Sequence, residues 1–240
     1  MRFYVNPESI DKEKNLIEIR DRDEIHHIKD VMRLKKGLIV TLFDGRGNEY
    51  LGAIDSISDR AITIKIKQSL ERNISLPYNI TLYQAVPKKA NMDLIVEKAV
   101  ELGVSKIIPL ITERTILKDI SENRLERWRR IAKEASKQCG RSLLPEVASP
   151  KYFKDAVDEI EYFDLVVFTA LIENKTPLKK ILADKKPKNI VVFVGPEGDF
   201  SPSEIDLMKK KNIQVASLGP LVLKVGTATI YVLSCLNYEY

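Results

Sequence analysis

Ile190-Val191-Val192-Phe193-Val194-Gly195-Pro196-Glu197-Gly198-Asp199-Phe200-Ser201-Pro202-Ser203-Glu204 is the stretch that decides how this chain folds. An apolar, β-branched run ends at a turn bracketed by Gly195 and Gly198. Ser201, Pro202 and Glu204 then stand where a helix wants its N-cap, its first residue and the far half of a capping box. The stretch therefore predicts strand, tight turn, helix. A helix start at the carboxyl end of a strand offers unpaired N–H groups, and in open α/β sheets that is where ligands settle. An ordinary strand-to-helix connection has the same form, and local physics does not choose between the two.

Downstream, Ser217-Leu218-Gly219-Pro220-Leu221-Val222-Leu223-Lys224-Val225-Gly226-Thr227-Ala228 repeats the plan, with turn signals and a helix expected over 228–238 capped by Thr227. Two glycine-bearing loops after two strands could share one ligand hollow. No GxxxxGK[ST] phosphate loop occurs, and Gly45-Arg46-Gly47 leads into a strand, which argues against a dinucleotide fingerprint.

Upstream, apolar strands are predicted at 80–85, 106–111, 165–169 and 215–218, alternating with helical stretches. That rhythm marks an α/β domain with a mostly parallel sheet covered on both faces. A helix over 91–102 carries Met92, Ile95, Val96, Ala99, Val100 and Leu102 on one stripe, and Gly103 follows where a left-handed residue is wanted. A second, over 121–140, carries Leu125, Trp128, Ala132, Ala135 and Cys139 on one face. From 121 to 141 it holds seven Lys or Arg against three Glu. Those charges suit either a solvated face laced with i,i+4 pairs or contact with phosphates.

Residues 1–72 have a different period. Short runs such as Leu16–Ile19, Leu38–Phe43 and Ala61–Lys67 alternate as half-buried strands, and Asp44-Gly45-Arg46-Gly47 turns between two of them. One helix is expected over 23–34, stopped by Gly37. This pattern describes a small β-barrel, suited to holding RNA or to a scaffold role. Polar residues and Pro77 over 71–78 read as the linker, dividing the chain into domains 1–72 and 73–240.

Among the 240 residues, 44% are hydrophobic, enough for two real cores, and 39 Lys and Arg exceed 34 Asp and Glu for a net charge of +5. The surplus leans toward polyanions, although a Lys/Glu-rich surface gives the same number. Cys139 and Cys235 form no CxxC pair and the two histidines are adjacent, so no metal site is expected. The start has no apolar leader, and no run reaches the ~18 apolar residues of a membrane span. The expectation is a cytoplasmic protein with reduced thiols.

Taken in order, Met1-Arg2-Phe3-Tyr4, His26-His27-Ile28-Lys29-Asp30-Val31-Met32-Arg33, Lys98-Ala99-Val100-Glu101-Leu102-Gly103, Gln138-Cys139-Gly140-Arg141-Ser142, Gly195-Pro196-Glu197-Gly198 and Leu218-Gly219-Pro220 with Thr227-Ala228 carry a resemblance across essentially the whole chain. The sequence resembles the ribosomal RNA small subunit methyltransferase E family, within the SPOUT class. That resemblance implies a PUA-like β-barrel before a SPOUT domain whose chain forms a trefoil knot. It implies a homodimer that transfers a methyl group from S-adenosylmethionine to N3 of a uridine in small-subunit (16S) ribosomal RNA, free or in the assembled 30S subunit. Rival readings are a SPOUT methyltransferase acting on another RNA, and an RNA-binding or ribosome-assembly protein without catalysis.

By the same resemblance, Thr169, Ala170, Leu171, Gly195, Pro196, Glu197, Gly198, Leu218, Gly219, Leu223, Thr227 and Ala228 would line the methyl-donor pocket. Arg141 would face the target base. Arg2, Arg33, Lys88, Lys89, Arg114, Arg127 and Arg130 would contact RNA, and His26 and His27 would pack or cap. The chain departs from the family pattern at Asp199 (usually glycine), Leu221 and Lys224 (usually arginines) and Gly226 (usually glutamate).

Overall fold

The computed structural model describes residues 1–71, 76–88 and 92–240. The chain divides into two compact units. The first comprises 1–75 together with 136–144, and the second comprises 76–135 together with 145–240.

The first unit is built on strands β1 (Arg2–Tyr4), β2 (Ile10–Asp11), β3 (Leu16–Ile19), β4 (Ile39–Phe43), β5 (Asn48–Ile57) and β6 (Ile62–Glu71), with helix α1 (Arg22–His26) between β3 and β4. They form one sheet in the order β1-β4-β5-β6-β3-β2, antiparallel except for the parallel β1–β4 pair. Among the described residues β1 and β2 remain its edges, so hydrogen bonding does not close the expected barrel. Alternate residues Ile17 and Ile19, Val40 and Leu42, and Ile62 and Ile64 are buried together with Phe3, as the period of two predicts.

The helix expected over 23–34 differs at both ends. Asp21 caps it, accepting the N–H groups of Asp23 and Glu24, so it starts at Arg22. After His26 it widens into a π turn over His27–Val31, and Arg33 takes a left-handed φ of +51°. The physical reason is packing. A straight α-helix does not seat Ile25, Ile28 and Leu34 together, whereas the widened turn buries all three and leaves Val31 and Met32 exposed.

In the second unit, β7 (Asn79–Ala85), β8 (Lys106–Ile111), β9 (Glu146–Val147), β10 (Lys151–Tyr152), β11 (Leu165–Thr169), β12 (Thr176–Pro177), β13 (Asn189–Val194) and β14 (Val215–Ser217) make an all-parallel sheet. Its order is β10-β8-β7-β13-β11-β14-β12, with β9 also on β8. Helices α2 (Met92–Glu101), α3 (Glu122–Cys139), α4 (Phe153–Asp158), α5 (Leu178–Leu182), α6 (Pro202–Lys210) and α7 (Val225–Glu239) complete the chain. The last turn of α3 belongs to the first unit.

Two cores follow from the strand period. Ile80, Leu82, Ile190 and Val192 join α2, α3 and α7 on one face, while Tyr83, Val191 and Phe193 join Phe153, Ile205 and Met208 on the other. The second face is aromatic. Tyr83 stacks on Phe193 at 4.7 Å between centroids, and Phe168 meets Phe200 at 4.6 Å. Gly103 ends the α2 segment with φ +87°, in the left-handed conformation that its position demanded. Helix α7 begins at Val225, three residues before its expected start. Lys224 occupies the N-cap with no side-chain bond, and Thr229 donates instead to the buried Oε1 of Gln84 at 2.6 Å. Among the described residues no helix is long and apolar enough to cross a membrane.

Candidate functional site

Four neighbouring strands of the second unit, β7, β13, β11 and β14, run parallel, so their carboxyl ends lie along one edge of the sheet. The order also reverses there: β8 and β10 extend from β7 one way, and the later strands extend from β13 the other. A crevice outside such a switch point is the expected ligand site of an open parallel sheet. The loops leaving all four strands meet around a hollow of about 570 Å³, within the range of small-molecule sites.

All the expected donor-pocket residues line this hollow except Gly198 and Thr227. Thr227 is exposed in the first turn of α7, and the Gly198 carbonyl accepts from Arg114. Val194, Ala216, Val222 and Val225 add apolar wall, while Lys88, Lys175, Asp199 and Lys224 add charge. Sequence reasoning had no pointer to Lys175, whose loop has no motif. Three of the four departures from the family pattern, Asp199, Leu221 and Lys224, sit on the lining; Gly226 is buried in α7, where an added Cβ would lie 3.8 Å from Ile95.

The loop after β13 is the hub of the site. Phe200, 1% exposed, anchors it in the aromatic core, and the Gly195 backbone lies so close that an added Cβ would come 3.1 Å from the Phe200 ring. A side chain at 195 would displace the ring or the loop. The capping box is formed as the sequence indicated: Ser201 accepts the Glu204 N–H, and the Glu204 carboxylate accepts the Ser201 N–H at 2.8 Å. Glu204 also accepts the Glu113 N–H at 2.8 Å, tying this loop to the one after β8.

The charged residues of this loop hold its neighbours. The Glu197 carboxylate accepts the Lys88 N–H at 2.9 and 3.1 Å, and the Asp199 carboxylate accepts the Leu171 N–H at 2.7 Å. Arg114 donates to the carbonyls of Gly198 and Phe200 at 2.6 and 3.3 Å. Arg114, expected on RNA phosphates, is thus engaged in bracing the loop. The lining carboxylates are taken by backbone N–H groups, and the rest of the hollow offers apolar wall, backbone groups and the ammoniums of Lys88, Lys175 and Lys224.

The first unit holds Arg141. The Gly140 and Arg141 N–H groups both donate to the Ser136 carbonyl, closing the end of α3, with Gly140 at φ +85°. Ser142 is fully buried and donates to Glu49 at 2.7 Å, and Leu143 bridges to Arg46. Burial pushes the Arg141 pKa down from its ordinary value. Arg2 has a structural place where an RNA contact was expected. Its guanidinium is 15% exposed, donates to the carbonyls of Ser136 and Arg141 and to Glu49, and lies 4.0 Å over the Phe43 ring.

The other expected RNA contacts are scattered. Arg33, Lys88 and Arg130 are exposed, Arg127 pairs with Asp93, and Lys89 lies outside the described residues. Lys137 of the basic helix is buried in an ion pair with Glu24 at 2.9 Å. His26 pairs with Asp30, and His27 packs edge-on against Phe3. Among the described residues no group of three His, Cys, Asp or Glu side chains is placed to hold a metal ion.

Comparison with known proteins places this architecture. Residues 75–237 match the family model described as an RNA methyltransferase domain, and residues 19–67 match an RNA methyltransferase PUA domain. The fold and its switch-point hollow are therefore those of an RNA methyltransferase with a PUA domain in front. The ribosomal RNA small subunit methyltransferase E of a Synechocystis species is 32% identical over 89% of this chain and 70% of its own length. That of Aquifex aeolicus is 31% identical over 95% of this chain and 96% of its own. The chain belongs to the ribosomal RNA small subunit methyltransferase E family. A methyltransferase of Legionella pneumophila, solved with its cofactor SAM, superposes with a TM-score of 0.89 at 32% identity, covering 99% of this chain and 96% of that one. The Neisseria gonorrhoeae member, bound to S-adenosyl methionine, gives 0.85 at 26% identity over 100% and 97% of the two chains.

Proposed function

We propose that this chain methylates N3 of a uridine in small-subunit (16S) ribosomal RNA, with S-adenosylmethionine held in the hollow at the ends of β7, β13, β11 and β14. One observation carries the reading: loops from four adjacent parallel strands converge on a largely apolar, glycine-bearing hollow whose two carboxylates, Glu197 and Asp199, accept the backbone N–H groups of Lys88 and Leu171. Such a lining fits an adenosine. Leu218, Leu223 and Ala228 offer apolar contact, and the close backbone at Gly195 offers approach without a side chain. Once bound, the donor supplies an activated methyl group on a sulfonium.

In-line transfer then needs alignment and a deprotonated uridine imide. The hollow's residues fix the donor, and Arg141 is assigned to the base. Its guanidinium, desolvated by burial, is suited to stabilise negative charge developing on the uracil. Arg33, Lys88, Lys89 and Arg130 are assigned to the RNA backbone, which sets register rather than chemistry. The chain works as a homodimer in the cytoplasm, on free RNA or the assembled 30S subunit, and its C-terminal loops form a trefoil knot.

Calorimetry with S-adenosylmethionine and mapping of methylated nucleotides in cells lacking the protein test this together. Micromolar donor binding and one unmodified uridine in 16S RNA are expected. No binding at millimolar donor, or an unchanged small-subunit RNA, would overturn it.

A further inference from the structure

Asp199 follows the glycine turn with φ +60°, in the left-handed region that disfavours a residue bearing a Cβ, although Asp and Asn tolerate it best. Two features make that conformation useful. Phe200, next in the chain, is locked in the aromatic core, and the Asp199 N–H donates to the Pro196 carbonyl at 2.9 Å, so the residue stands on a rigid base. From there Oδ2 accepts the Leu171 N–H at 2.7 Å, while Oδ1 lies where an added Cβ on Gly195 would come within 3.3 Å.

Leu171 needs that bond. Strand β11 ends at Thr169 and β12 begins at Thr176, so no sheet ladder holds the segment between them. Ala170 and Leu171 nevertheless form one side of the hollow, and the Leu171 side chain is 53% exposed.

We propose that Asp199 is a positioning residue: its carboxylate fixes the Leu171 backbone and so sets the wall after β11 against which the methyl donor rests. This rests on the donor reading of the hollow. It also has a chemical consequence. With its N–H taken by Asp199, the Leu171 peptide offers a ligand only its carbonyl, an acceptor suited to the exocyclic amine of adenine.

The test compares Asp199→Asn, Asp199→Gly and Asp199→Ala with the unmutated protein by calorimetry with S-adenosylmethionine, thermal unfolding and steady-state kinetics. Asparagine keeps an acceptor oxygen and tolerates positive φ, so donor affinity stays within about twofold. Glycine and alanine lose the acceptor, and affinity falls roughly tenfold, the size of one hydrogen bond to a charged group. Because glycine suits φ +60°, Asp199→Gly melts at or above the unmutated temperature, which separates mispositioning from unfolding. Its KM for the donor rises more than its kcat falls. Unchanged affinity in Asp199→Gly overturns the proposal, as does Asp199→Asn binding as weakly as the glycine variant, since charge rather than the bond would then matter. Absence of donor binding in the unmutated protein brings down the donor reading, and this proposal with it.

Discussion

Arg2 and Glu49, 47 residues apart in the chain, form an ion pair 2.9 Å long in which the side chains are 15% and 4% exposed. The same guanidinium donates to the carbonyls of Ser136 and Arg141. Removing one member of such a pair leaves the other buried and uncompensated. Arg2→Ala therefore loses about 3 kcal/mol of stability, read as a lower urea midpoint. Arg2→Lys recovers only part, because an ammonium cannot reproduce the fork that reaches Glu49, Ser142 and two carbonyls at once. An RNA affinity whose salt slope drops in Arg2→Ala, with the midpoint unmoved, would return Arg2 to the phosphate contacts.

What the sequence made legible, and what it hid, follows from range. β8 and β11 occupy the residues that their apolar runs indicated, and the Ser201 capping box formed, because strand period and helix capping are local signals. Two-residue strands such as β9, β10 and β12 are too short to show a period. Val225 and Gly226 looked like turn residues. Gly226 is buried instead, and α7 starts there because packing outweighs the weak helix propensity of glycine. The pocket loops were legible through their glycines and the resemblance. The partners of Arg2, Arg114 and Lys137 were not, since a sequence displays a charge and not the carbonyl or carboxylate that tertiary structure brings to it.

Arg114 yields a second expectation. Its bonds to Gly198 and Phe200 brace the loop after β13, so Arg114→Ala weakens donor binding several-fold while leaving the salt dependence of RNA affinity in place. A phosphate contact would give the opposite pair of results. Calorimetry with the donor, beside RNA binding at two ionic strengths, distinguishes them.

Tyr83, Glu159 and Lys151 give a pH window. The Lys151 ammonium, then the Tyr83 hydroxyl at 2.6 Å, hold the Glu159 carboxyl below its ordinary value of 4.5. Burial, with the Glu159 carboxylate beside it, pushes the Tyr83 phenol above 10.0. A depressed acid contributes stability above its unfolded pKa and loses it as pH falls through the folded one. A raised phenol contributes below its unfolded pKa and loses it as pH rises toward the folded one. The melting temperature thus declines below about pH 4.5 from Glu159 and above about pH 10 from Tyr83. Tyr83→Phe flattens the alkaline limb; an alkaline limb identical to that of the unmutated protein would assign it to other groups.

On α3, neighbouring arginines differ in what already holds them. Arg129 pairs with Glu122 and Glu126, and Arg127 with Asp93, whereas Arg130 is exposed with no ion pair among the described residues. An arginine that neutralises a phosphate displaces a condensed counterion, so its loss lowers the salt slope of binding as well as the affinity. Arg130→Ala should reduce that slope by about 0.7 to 0.9, the contribution of one phosphate contact. Arg127→Ala should reduce it less, because Asp93 competes with the phosphate for the same guanidinium. The decisive variant is Asp93→Ala. Releasing Arg127 raises RNA affinity at low salt and steepens the slope, while an acidic residue irrelevant to RNA leaves both untouched. If the Arg130 and Asp93 variants both bind with unaltered slopes, this face of α3 is solvated surface and the RNA runs elsewhere.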